Sequence, residues 1–302
     1  MKNIISKILV SIALLGILLI AGCNSTQQTQ PTKGIYVGGT QGIMAKFEPL
    51  GVVENTLYSI FDSETFPIEI TLTNKGEYDI KPSDITVSLL GPAQSEFSGI
   101  ASWQLKNPQT IEKISDLVPA GGQDTINFAK DAKYTAPVTG IIQRQWFANI
   151  DYYYETYAIV PETCLKEDLT DTRVCQIQEK KSFAVSSAPF TVTDVSEETA
   201  GKGIMALKFH VKNTGSGKIA KPTNDFGIND EFAFSLDDPD WECKSAGKTN
   251  EGRLITGETD VVCKLKNALA KGTLSTKQVK LTLQYKYRDI IQEKLQIKQS
   301  AK

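Results

Sequence analysis

One histidine, His210, stands in a chain of 302 residues, and that scarcity closes off several chemistries. Without a second histidine there is no H-E-x-x-H zinc site, and a Ser/His/Asp triad is open only if His210 serves it. His210 lies between Phe209 and Val211 on the polar phase of an alternating stretch, which is a surface position. No G-x-S-x-G, G-x-G-x-x-G or G-x-x-x-x-G-K-[ST] occurs, so the nucleophile elbow, the dinucleotide turn and the phosphate loop are excluded. No two cysteines form a C-x-x-C pair, which argues against a four-cysteine zinc site. No apolar run reaches the roughly 20 residues that a spanning helix needs.

The longest apolar run is instead about 15 residues, at positions 8–22, after a start made positive by Lys2 and Lys7. That length fits a cleaved secretory segment better than a permanent span. The stretch Ile20-Ala21-Gly22-Cys23 resembles the lipobox of exported lipoproteins, in which the cysteine receives lipid and becomes the mature N-terminus. The resemblance implies residues 1–23 as signal and anchor, with Cys23 as the lipid attachment site; an uncleaved anchor is the alternative. Two or more acyl chains tether stably, since each buried CH₂ contributes about 0.8 kcal/mol. Residues 24–33 are Gln, Thr and Ser with one proline, too polar to order themselves. As a flexible linker they span roughly 16–19 Å. The expected location is the cell envelope, on the extracytoplasmic face of the membrane.

Four further cysteines form two local pairs, Cys164 with Cys175 and Cys243 with Cys263. Export permits disulfides, and although four cysteines allow three connectivities, the local pairing is expected. At 40% hydrophobic and 23% charged residues, the chain suits one or two globular domains.

Strand patterning dominates what remains. "FPIEITLTNKG" alternates Phe66, Ile68, Ile70 and Leu72 with polar residues and ends in a turn. "IMALKFHVKNTGSG" does the same with Met205, Leu207, Phe209 and Val211. Further on, "GQDTINF" matches "GETDVVC", and "IDYYY" matches "LQYKY", aligning Tyr152 with Tyr285 and Tyr154 with Tyr287. The turn asparagine precedes the glycine by 48 residues in the first unit and 44 in the second; the glycine precedes the tyrosine by 30 and 28. Three landmarks in one order argue for a duplicated unit. Residues 108–118 read as a short helix or as an edge strand.

The pattern of a strand, an N-x-G turn and a closing Y-x-Y strand resembles the CARDB-type immunoglobulin-like domains of prokaryotic surface proteins, and "APFTVTDV" resembles the opening strand of such a domain. More loosely, "QGIMAKFEP" and the strand at Tyr152 resemble uncharacterised exported proteins of archaea. The expected fold is all-β: two tandem immunoglobulin-like antiparallel β-sandwiches after the N-terminal segment, the first over 34–187 with insertions and the second over 188–298.

Two charged stretches carry the candidate sites. Residues 224–242 hold seven carboxylates and no basic residue. Converging loop carboxylates bind Ca²⁺, so Asp237, Asp238 and Asp240 are the metal candidates, although EF-hand spacing is lacking; a solvated acidic loop is the plainer reading. No other cofactor is expected. From residue 264 onward, ten basic residues face two acidic ones. On the last strand Lys280, Lys286 and Arg288 share the phase opposite Leu281, Leu283 and Tyr285. That basic face is solubilising, or attracts an anionic surface polymer or lipid headgroups, or pairs with the acidic stretch of a neighbouring copy. Trp103, Trp146 and Trp241 are core residues or sugar-stacking platforms.

The functional expectation is a non-catalytic, lipid-anchored surface protein that binds or scaffolds envelope or partner-cell components. Its partners are the membrane, through the anchor, and a protein or surface polymer. A net charge of −2 and export speak against nucleic acid. The alternative is a lipid-anchored hydrolase, or an accessory to one, using carboxylates of the first domain. A transporter's solute-binding lipoprotein fits poorly, because strands and helices do not alternate.

Overall fold

Apolar and polar residues alternate at period two along nearly every ordered segment of the computed structural model, which describes residues 34–177 and 180–301. Cys23, the 1–23 segment and the 24–33 linker lie outside the described residues. The first half of the chain forms β1 (Ile43–Phe47), β2 (Val52–Glu54), β3 (Leu57–Phe61), β4 (Thr65–Asn74) and β5 (Ile85–Leu90). It continues with β6 (Phe97–Ser98), β7 (Gln104–Lys106), β8 (Gln123–Tyr134), β9 (Ile141–Lys166) and β10 (Ala184–Val185). The second half forms β11 (Phe190–Gly201), β12 (Ile204–Asn213), β13 (Lys218–Ala220), β14 (Glu231–Leu236) and β15 (Trp241–Ser245). It ends with β16 (Lys248–Thr249), β17 (Glu251–Arg253), β18 (Glu258–Leu265) and β19 (Leu274–Lys298).

The fold is all-β, in three sheets. A four-stranded sheet runs β1-β4-β8-β6 and a five-stranded sheet β11-β12-β18-β15-β16. Between the halves of the chain lies a ten-stranded sheet, β17-β14-β19-β9-β5-β7, to which β2, β3, β10 and β13 attach. Its ladders are antiparallel except that β3 pairs with β19 in parallel, Tyr58 opposite Leu295. The boundary expected at 187/188 falls between β10 and β11. Residues 35–302 nevertheless form one compact unit, because the long closing strands β9 and β19 pair with each other from Ile141–Lys298 to Lys166–Leu274.

The turn asparagines of the two halves are built alike. Asn74 Oδ1 accepts from the Gly76 N–H and Asn213 Oδ1 from that of Gly215; Asn74 Nδ2 donates to the Tyr78 carbonyl and Asn213 Nδ2 to that of Gly217. The N–H of the fifth residue then donates to a tyrosine hydroxyl, Tyr78 to Tyr154 at 3.3 Å and Gly217 to Tyr287 at 2.8 Å. These tyrosines, matched in the sequence, pair crosswise: Tyr152 lies opposite Tyr287 and Tyr154 opposite Tyr285. Crosswise pairing of equivalent residues is the signature of a local two-fold axis normal to the sheet, with Tyr153 and Lys286 at its centre. Asn74 is fully buried and adds a second donation to the Ile111 carbonyl. Asn74→Ala should therefore cost about 2–3 kcal/mol and more than Asn213→Ala, as read from urea midpoints.

One face of the central sheet is core. Tyr152, Tyr154, Thr156, Leu281, Leu283, Tyr285 and Tyr287 are all buried there. Thr156 Oγ1 donates to the Phe190 carbonyl at 2.6 Å and meets the Tyr285 hydroxyl at 3.0 Å. Trp146 is fully buried against Phe66, Phe97 and Trp103, and Trp241 is buried as well. The tryptophans are thus core and core margin, not sugar platforms. Both local disulfides form: Cys164–Cys175 and Cys243–Cys263, the latter between directly opposed residues of β15 and β18. Residues 108–118 are neither helix nor strand; Ile111 makes an isolated bridge to Ile80, and the Ile114 N–H donates to the Gly76 carbonyl.

Candidate functional site

Because side chains alternate across a strand, burying the even-numbered tyrosines of β9 turns Asp151, Tyr153, Glu155 and Tyr157 to the other face of the central sheet. From β19 the same face receives Lys280, Thr282, Gln284, Lys286 and Arg288, and every one of these residues is half-buried. At the centre they stand in three cross-strand pairs, Asp151–Arg288, Tyr153–Lys286 and Glu155–Gln284. Arg288 grips Asp151 with two hydrogen bonds, Nε at 2.6 Å and Nη2 at 2.5 Å. The Asp151 carboxylate accordingly holds the guanidinium pKa above its ordinary value. Glu155 accepts from the hydroxyls of Tyr153 at 2.5 Å and Tyr157 at 2.7 Å, and from Gln284 Nε2 at 3.3 Å. Burial, and then the bond to Glu155, push both phenols well above the usual tyrosine range. Tyr78 packs edge-on to Tyr153 and is pushed up to about 12, first by burial and then by Glu155. Tyr36 stacks on Tyr157.

Lys280, Lys286 and Arg288 are brought together on one face, as their phase requires, but the face is not basic. Arg288 is neutralised by Asp151. Lys280 lies 5.5 Å from the Tyr157 ring and Lys286 lies 5.7 Å from the Phe226 ring. Neither lysine has a carboxylate within ion-pair distance among the described residues.

The acidic stretch and the basic strand meet within one chain, since β14 pairs with β19 from Ala233–Gln284 to Leu236–Leu281. Asp237 Oδ1 accepts from the Lys280 N–H at 2.8 Å. Asp238 pairs with Lys277 at 2.8 Å and accepts from the Asp240 N–H at 3.1 Å. Burial raises the Asp238 carboxyl pKa, but the Lys277 bond and the Asp240 N–H together carry it below the usual value. The expected calcium ligands Asp237, Asp238 and Asp240 thus find Asp237 and Asp238 committed to the chain's own donors. Among the described residues no group of three or more His, Cys, Asp or Glu is placed to hold a metal ion.

Above the central pairs the loop between β13 and β14 lays Phe226 over the cations, its ring centroid 4.2 Å from the Arg288 guanidinium. Beside this ring opens a cleft of about 510 Å³, lined by Asp84, Gln104, Tyr153, Asp225, Phe226 and Lys286. Gln104 Nε2 donates to Ser88 on the neighbouring strand at 3.1 Å. No family model and no curated protein matches the chain. Its chemistry must therefore be read from the face itself.

His210 stands apart from this face, half-buried on β12 with Nδ1 2.9 Å from Asp260. Lys208 and Lys212 flank it and pair with Asp260 and Glu258, a charged surface ladder between neighbouring strands. Sequence reasoning missed Tyr153, Glu155 and Tyr157. The signal was present in "YYYETY", residues 152–157, whose second phase puts a carboxylate between two aromatic residues.

Proposed function

We propose that this is a non-catalytic binding protein held at the extracytoplasmic face of the membrane through Cys23, with residues 1–23 as signal and anchor and 24–33 as tether. Its two halves are immunoglobulin-like sandwiches of the CARDB type that share one sheet, and the open face of that sheet meets a protein or surface polymer of the envelope. The observation carrying this reading is the face itself. Tyrosines, carboxylates and two lysines that pair with no carboxylate among the described residues share one half-buried face of the sheet. Tyrosine and arginine are enriched at recognition surfaces.

The test is co-sedimentation of the full chain, kept in detergent, with washed cell-envelope material. Lys280→Gln with Lys286→Gln should weaken retention about tenfold, or ~1.4 kcal/mol. Lys248→Gln with Lys264→Gln, the same charge change on the five-stranded sheet, should leave it unchanged. Equal loss in both pairs would reduce the effect to net charge and remove the face from the function.

A further inference from the structure

The cleft beside Phe226 is a site of its own kind, and its chemistry narrows what enters. At about 510 Å³ it falls within the roughly 300–1,000 Å³ of small-ligand sites. Its floor is sheet whose main chain is already bonded on both sides: β9 lies between β5 and β19, and at Lys286 and Arg288 β19 lies between β9 and β13. A peptide arriving as an added strand finds no free backbone groups there. The charges are mixed as well. Arg288 and Asp151 cancel, leaving Lys286 against Asp84 and Asp225, so no field of one sign draws a polyanion. What remains is a set of acceptors (Asp84, Asp225), donors (Lys286, Gln104), the Tyr153 hydroxyl and one aromatic wall, Phe226.

Hydroxyl groups that both donate and accept, carried on a ring with an apolar C–H face, satisfy that set without adding charge. We infer that the cleft binds a neutral glycan, as a short oligosaccharide segment. This rests on the open face being the binding surface, and it replaces the tryptophans by Phe226 and Tyr153 as the sugar contacts.

The experiment presents the full chain in detergent, fluorescently labelled, to an array of neutral hexose and N-acetylhexosamine oligosaccharides beside uronate and sulfated ones, at low and high salt. Binding to neutral members that persists at high salt is expected. Phe226→Ala should weaken it roughly tenfold and Gln104→Ala should weaken it several-fold, while Lys248→Gln leaves it intact. Absence of neutral binding, binding confined to charged members and lost in salt, or neutral binding indifferent to both Phe226→Ala and Gln104→Ala would each overturn the inference. Envelope retention that depends on Lys280 and Lys286 without glycan binding would sink the inference and leave the broader reading standing. Loss of retention with glycan binding intact would do the reverse.

Discussion

A single cooperative unfolding transition is expected for residues 34–301, reported alike by the tryptophans of both halves. Trp103 and Trp146 lie in the first half and Trp241 in the second, so two variants, one keeping only Trp241 and one lacking it, read the halves separately by fluorescence in urea. The physical ground is the β9–β19 ladder, which runs the length of both strands and brings Tyr154 against Tyr285 and Tyr152 against Tyr287. The halves are also cross-tied beyond the ladder, where Thr156 donates to the Phe190 carbonyl and the Cys164 N–H to the Glu197 carboxylate. Removing either half would strip one long strand of its neighbour and expose both a row of unpaired backbone groups and a tyrosine-rich surface. Residues 34–187 or 188–302 produced alone should aggregate or remain unfolded, and producing the two together should restore solubility. Tyr285→Ala should cost about 3–5 kcal/mol and shift both tryptophan signals by the same amount. Separate midpoints for the two halves would show that the shared sheet does not couple them.

The strands, both disulfides and the face on which Lys280, Lys286 and Arg288 stand were legible because each depends on local pattern: period-two alternation, nearby cysteines, side-chain phase. Which strand lies beside which is not local. The alternation of Tyr152 and Tyr154 says that they are buried, but it is equally compatible with two separate sandwiches or one continuous sheet. The parallel pairing of β3 with the end of β19 joins residues more than 200 positions apart and leaves no periodic trace. Charge counting misjudged the face for a similar reason. Ten basic residues after position 263 look like a basic surface until β9 brings Asp151 and Glu155 beside them and β14 brings the acidic stretch alongside. No local pattern marks Phe226 within the acidic run, because its stacking on Arg288 depends on a loop folding back over the sheet. Residues 108–118 show the limit of helical periodicity: Ile111 is buried by its bridge to Ile80, not by a helical face.

The largest loss of stability from a single charged residue is expected at Lys181, a position no sequence pattern marks. Its ammonium lies 2.9 Å from Glu197, whose side chain is fully buried, and the other oxygen of Glu197 accepts from the Cys164 N–H at 2.7 Å. Lys181→Met would remove the ammonium from beside a buried carboxylate that keeps its bond from the Cys164 N–H, a change that costs about 3–5 kcal/mol. The neighbouring pair Lys180–Asp194 is solvent-exposed, and Lys180→Met should cost no more than about 1 kcal/mol. Urea midpoints of the two variants read the difference, and a deficit for Lys181→Met that stays below about 1 kcal/mol would mean that the Lys181 charge does not support the buried carboxylate.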